Sequence, residues 1–158
     1  MKLSDFVVKD AIIPELKATT RDQALRELVT ALAAAKAFPE KDADTIYKAL
    51  LEREKRATNA FGYGVAVPHA KHGGLKKVVC AIGRSPAGID FAALDGGLVH
   101  IVTLLVSPAE NPDRHLQAME RVWAALQDER IRKFLRQSAT KAEILDVIAE
   151  ADQASAAR

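Results

Sequence analysis

Four histidines hold most of the chemistry open to this sequence. His69 has the most unusual setting. It follows the rigid Pro68 at the end of a short β-like run, Val65-Ala66-Val67, behind the glycine-punctuated stretch Phe61-Gly62-Tyr63-Gly64. An unperturbed imidazole titrates near pH 6.5, so much of it is neutral at neutral pH. Its free lone pair can attack a phosphorus or carbonyl centre and form a covalent intermediate. Strand ends in α/β folds are where ligands meet the protein, which makes His69 the first candidate nucleophile. A surface histidine in a turn is the competing reading.

His115 falls in the first turns of a helix that opens at Asn111-Pro112. The unpaired N–H groups and positive dipole end there favour a nearby anion and disfavour imidazolium. Arg53 and Arg56 end a helix just upstream of the glycine stretch, where a guanidinium fork would suit phosphate oxygens. The same arginines would also serve simply to complement the helix dipole. His72 forms His-x-x-His with His69 across a glycine-bearing turn. No His-Glu-x-x-His arrangement accompanies it, so a metal hydrolase is the weaker alternative. His100 lies within an apolar run and reads as a hydrogen-bonded core residue. Cys80, the one cysteine, sits in an expected buried strand where a thiol is inert. Arg130, Arg132, Lys133 and Arg136 read as a solvated face, or as a contact for an acidic partner.

The elements that must hold these residues follow from periodicity. Thr20 to Gln23 reads as a capping box, followed at helical spacing by Ala24, Leu25, Leu28, Val29 and Leu32. Ala43, Ile46, Tyr47, Leu50 and Leu51 repeat the pattern and predict a second helix ending near Arg53 to Arg56. Lys71-His72-Gly73-Gly74, Ser85-Pro86-Ala87-Gly88 and Asp95-Gly96-Gly97 carry turn chemistry. Between them Val78 to Ile82 and Leu98 to Val106 read as buried strands. Asn111-Pro112 joins a good N-cap to proline at the first helical position. Leu116, Met119, Val122, Trp123 and Leu126 form the expected stripe of that helix. A shorter helix follows around Ile131, Phe134 and Leu135. A second capping box, Thr140 to Glu143, opens a last helix holding Ile144, Leu145, Val147 and Ile148. The Ala/Ser-rich end, residues 151–158, is expected to be a frayed tail. Interspersed helices and buried strands predict one α/β domain, residues 1–150, with a sheet covered on both faces and parallel pairs within it.

Composition narrows the function. Of 158 residues, 49% are hydrophobic and 28% charged, which argues against disorder. The net charge of +2, from 23 basic and 21 acidic residues, is too even for a dedicated nucleic-acid binder. A single cysteine excludes an internal disulfide framework. The first residues carry no signal-peptide pattern. The longest near-apolar run, Leu98 to Val106, is about half of what a spanning helix needs, so membrane insertion is not expected. A cytoplasmic protein is the default expectation.

Taken together, Arg53-Glu54 and Gly62-Tyr63-Gly64-Val65-Ala66-Val67-Pro68-His69 resemble the active-site signature of type-2 enzyme IIA of the bacterial phosphotransferase system. That family includes fructose- and mannitol-specific IIA domains and the nitrogen-regulatory IIA protein. Gly88-Ile89-Asp90-Phe91, Asp95-Gly96, the strand to Val106 and His115-Leu116 follow in family order. The resemblance spans roughly residues 3 to 150. It implies a mixed β-sheet sandwiched between helices. It implies that His69 accepts a phosphoryl group from phosphorylated HPr or its nitrogen-branch counterpart, with Arg53 and His115 lining the site. In sugar-transporting members the group passes on to a cysteine of a IIB component. The alternative is a regulatory module whose phosphorylation state switches binding to target proteins. No metal or other cofactor is implied, because the donor is already a phosphoprotein. Thr58-Asn59 departs from the family's usual Ser-Thr, although an Asn amide can still donate a hydrogen bond.

Overall fold

The computed structural model describes residues 1–156. Its centre is strand β5 (Val99–Pro108), a run in which nearly every residue is buried. Such a run needs cover on both faces, and the fold supplies it. Strand β4 (Val79–Ile89) lies antiparallel beside β5, and the edge strand β1 (Val7–Ile13) runs parallel to β4. On the other side of β5 lie β2 (Val65–Ala66) and then β3 (His69–His72), both parallel to it. Pro68 has no N–H to give, so the ladder is interrupted between the two short strands. Its carbonyl still accepts from Leu105 N at 2.9 Å, which keeps His69 in register with Leu105.

Side-chain alternation divides the core into two layers. Val102, Leu104 and Val106 pack against helices α2 (Arg21–Ala34) and α3 (Ala43–Arg56). Ile101 and Leu105 face α4 (Pro112–Leu126), α5 (Glu129–Gln137) and α6 (Lys141–Ala156), together with the single turn α1 (Leu3–Phe6). The expected mixed sheet between helices is therefore the observed architecture.

Several local expectations need correction. Strand β1 and the turn before it lie where no element was expected. Val7, Val8, Ala11, Ile12 and Ile13 share the segment with Lys9 and Asp10, and a register shift between Val7 and Ile12 breaks its alternation. Ser85 to Gly88, expected as a turn, is an irregular part of β4. Ser85 Oγ accepts from Gly88 N at 3.1 Å, and Gly88 adopts φ +87°, so the strand bends without ending. Lys71 and His72, expected in a loop, complete β3; the turn begins only at Gly73.

The first capping box is half formed. Thr20 Oγ1 accepts from Gln23 N, but Gln23 Oε1 accepts from Thr19 N rather than from the cap residue itself. Leu116 points away from its helix's buried stripe and is 59% exposed; His115, Ala118, Val122 and Leu126 make that stripe. The segment from Ala151, expected to fray, continues as helix through Ala156. Ala151 is buried, and the Asp152 carboxylate accepts from Leu3 N at 2.7 Å and Ser4 N at 3.1 Å. Residues 157 and 158 of that expected tail lie outside the described residues. Among the described residues, no helix is long and apolar enough to cross a membrane.

Candidate functional site

Alternation along β3 decides what the site contains. His69 and Lys71 share one face of the strand, and Ala70 and His72 share the other. Ala70 packs toward the α2/α3 core, while His72 Nε2 lies 3.4 Å from Asp42 Oδ2 in the short helical turn before α3. His69 turns toward α4, where its ring centroid stands 5.4 Å from that of His115. The His-x-x-His pair of the sequence is thus split across the sheet. Among the described residues, no group of three or more His, Cys, Asp or Glu is placed to hold a metal ion.

The orientation of each ring is set by its Nδ1. His69 Nδ1 lies 2.9 Å from Val67 O. A carbonyl can only accept, so Nδ1 carries the proton and Nε2 keeps its lone pair free. His115 Nδ1 lies 2.8 Å from Ser107 Oγ, a hydroxyl with no solvent exposure. Helix α4 delivers His115 to this point because its start is well defined. Pro112 occupies the first helical position, and Asn111 caps it by accepting from Arg114 N at 3.3 Å.

Both rings are biased toward neutrality. Burial lowers the pKa of His69, and the positive charges of Arg53 and Lys71 lower it further. Its Val67 hydrogen bond and the Glu54 carboxylate act in the opposite sense without reversing the shift. His115 is pushed down to about 4, first by burial, then by the charges of His69 and Lys71. At neutral pH the site offers two uncharged imidazoles in cationic surroundings.

Arg53 and Glu54 reach the site from the end of α3. Arg53 Nη1 donates to Ala57 O at 2.9 Å, which satisfies a terminal carbonyl and fixes the guanidinium. Glu54 is almost wholly buried. Its carboxylate accepts from Asn59 N at 3.1 Å and from Asn59 Nδ2 at 2.8 Å. Asn59 O in turn accepts from Val67 N at 3.2 Å, so one residue ties the helix end to the segment that carries His69. The amide at position 59 therefore keeps a hydrogen-bonding role. Arg56 turns away and pairs with Glu52 at 3.4 Å.

The other singled-out residues lie elsewhere. His100 Nδ1 engages Ser85 O at 2.9 Å, so the expected hydrogen bond is present, but the residue is half-buried rather than in the core. Cys80 is completely buried, and burial pushes its thiol pKa far up, so it is inert. Arg132 does not simply face solvent: it donates to Leu126 O and Gln127 O and stacks 4.5 Å over the Tyr63 ring. Sequence reasoning gave no role to Ser107, Lys71 or Glu54. Ser107 could have been noticed as a polar residue at the end of an apolar strand. Lys71 could have been found had residues 69–72 been read as strand, since a period of two places it beside His69.

The fold is a mixed sheet between helix layers, in which His69 opens a short strand with its ring beside that of His115. Comparison with known proteins gives the particular case. Residues 5–151 match the family described as phosphoenolpyruvate-dependent sugar phosphotransferase system, EIIA 2. The chain is 38% identical over 149 residues to a nitrogen regulatory protein of Bradyrhizobium diazoefficiens, covering 94% of this chain and 95% of that one. It is 31% identical over 153 residues to the fructose-specific EIIABC component of Bacillus subtilis, covering 97% of this chain but 24% of that much longer protein. Its fold matches the crystal structure of nitrogen regulatory protein IIA-Ntr from Neisseria meningitidis with a TM-score of 0.81, at 22% identity, over 92% of this chain and 98% of that one. The chain belongs to the type-2 EIIA family of the phosphotransferase system. Phosphoryl transfer of the EIIA kind is its general function.

Proposed function

We propose that His69 is the phosphoryl acceptor, loaded by a phosphorylated HPr-type carrier protein, and that it hands the group to a cysteine of a IIB component. The observation that carries this reading is the pair of oriented imidazoles, 5.4 Å apart, next to the charges of Arg53 and Lys71. In the transfer, the lone pair on His69 Nε2 attacks phosphorus and forms the new N–P bond. The donor's N–P bond breaks, and the donor nitrogen leaves with its electron pair. The proton on Nδ1 stays in place, held by Val67 O. Charge spreads over the transferred oxygens, so the protein acts mainly by position and electrostatics. Arg53 serves as a cationic clamp. Ser107 donates to His115 Nδ1, leaving His115 Nε2–H to donate to a phosphoryl oxygen.

The test is direct. The protein is incubated with phosphoenolpyruvate, enzyme I and an HPr-type carrier from either branch, and its intact mass is recorded. One acid-labile phosphate is expected on the wild type and none on His69→Ala. A wild type left unmodified by both carriers overturns the proposal.

A second reading is favoured by the 38% identity over nearly the full length of both chains to a nitrogen regulatory protein. In it, phosphorylation of His69 switches which target proteins bind, and no sugar is passed on. The two readings separate by pull-down with phosphorylated wild type and with His69→Ala. Different partner sets support the switch, and identical sets refute it.

A further inference from the structure

We propose that Lys71 is the second cation of the phosphoryl site, bridging the two histidines and binding the transferred group from the side opposite the α3 helix end. The inference rests on the phosphoryl-acceptor reading of His69 and adds a residue to it.

The placement follows from the sheet. Lys71 stands two residues beyond His69 in β3, so both side chains leave the strand on the α4 face. In the parallel pairing of β3 with β5, Lys71 is the register partner of Ser107. Ser107 is the residue whose hydroxyl holds His115 Nδ1. Nucleophile, lysine and second imidazole therefore stand on one patch of the sheet, tied together by backbone pairing rather than by a mobile loop.

The charges agree with this arrangement. Arg53 makes itself felt at His69, whereas Lys71 depresses the proton affinity of both His69 and His115. The charges felt at the two rings are those of Arg53 and Glu54 from α3 and of Lys71 from β3. Glu54 is occupied by Asn59, and Arg53 by the Ala57 carbonyl. Lys71, by contrast, is exposed at the rim, where its ammonium can swing to meet an arriving anion. An ammonium on a four-carbon stem is a point charge with three rotatable donors, suited to follow a phosphoryl group between two proteins.

The test uses the full chain as wild type, Lys71→Gln and Lys71→Arg. The His69 and His115 ring signals are followed by NMR against pH, and inorganic phosphate is titrated at pH 7. In Lys71→Gln both titration midpoints should rise, and phosphate affinity at the His69 signal should fall about five- to tenfold. Lys71→Arg should restore both. Unchanged midpoints and unchanged phosphate affinity in Lys71→Gln overturn the proposal. So does failure of Lys71→Arg to recover phosphate binding while its spectrum stays folded. A parallel arm measures phosphoryl acceptance from a phosphorylated carrier, which should slow in Lys71→Gln and recover in Lys71→Arg. If the wild type takes no phosphate from any carrier, the acceptor reading of His69 fails there; the two NMR arms still decide whether Lys71 binds an anion.

Discussion

Acid should destabilise this fold through His115, by an amount that can be worked from its environment. In the unfolded chain its imidazole binds a proton below about pH 6.5. In the folded protein it does so only below about 4. Between these values the unfolded state holds a proton that the native state lacks, so native stability rises with pH across that window. The stabilisation is fully present above pH 6.5 and is lost progressively as pH falls toward 4. Each pH unit of that window is worth about 1.4 kcal/mol, so the full span reaches about 3 kcal/mol, and lowering pH from 7 to 5 costs about 1–2 kcal/mol. His69, also shifted downward, acts in the same direction. The perturbation is therefore paired: urea denaturation at pH 7 and pH 5, for wild type and His115→Gln. Trp123, the one tryptophan, packs against Phe61 with ring centroids 5.3 Å apart and provides the fluorescence signal. Carboxylates and His69 titrate in both proteins, so the His115 contribution is the difference between their pH-dependent losses. Wild type should lose about 0.5–1 M more in urea midpoint than His115→Gln on going to pH 5. Equal losses in the two proteins would refute the buried neutral imidazole.

Three further substitutions probe the supports of the site. Ser107→Ala leaves the buried Nδ1 of His115 without its partner; stability should fall by about 1–2 kcal/mol, and nitrogen-15 shifts should show mixed tautomers of His115. A single retained tautomer would count against Ser107 as the orienting group. Arg53→Ala should slow phosphoryl acceptance about tenfold or more while costing no more than about 1 kcal/mol, because its guanidinium ties down only one helix-end carbonyl; an unchanged transfer rate by quenched intact mass removes its clamp role. Asn59→Ala strips the buried Glu54 carboxylate of its 2.8 Å amide donor and should lower stability by about 1–3 kcal/mol in urea, and a wild-type midpoint would show that the backbone N–H of residue 59 alone suffices.

Much of the scaffold could be read before any coordinates, and the reasons are local. The helices at Arg21 and Pro112 have caps written into neighbouring positions and start where expected, and three-to-four residue periodicity from Ala43 to Leu51 marks the body of the helix between them. β5 is an apolar run bounded by turn residues, which is enough to read a buried strand. Other features depend on partners distant in the chain. β1 exists because its backbone pairs with β4, some seventy positions away, from Val7 opposite Cys80 to Ile13 opposite Gly83. Asp152 extends helix α6 past an apparently featureless tail by capping residues 3 and 4, at sequence separations of 149 and 148.

The same division runs through the site. Proline, glycine and cap chemistry, acting over a few residues, are enough to place a histidine directly after Pro68 beyond a short apolar run, although in the structure it opens the next strand, β3, rather than closing one. They also place an arginine at the close of the helix before it, and His115 in the first turns of a capped helix. Which of these residues meet is a matter of long-range pairing. Parallel pairing of β3 with β5 put Lys71 beside Ser107, alternation sent His72 to the far face, and the packing of α4 on β5 brought His115 to within 5.4 Å of His69. Side-chain direction along a strand reverses with every residue, so the composition of the site was settled by register, and register is set by contacts between segments rather than within them.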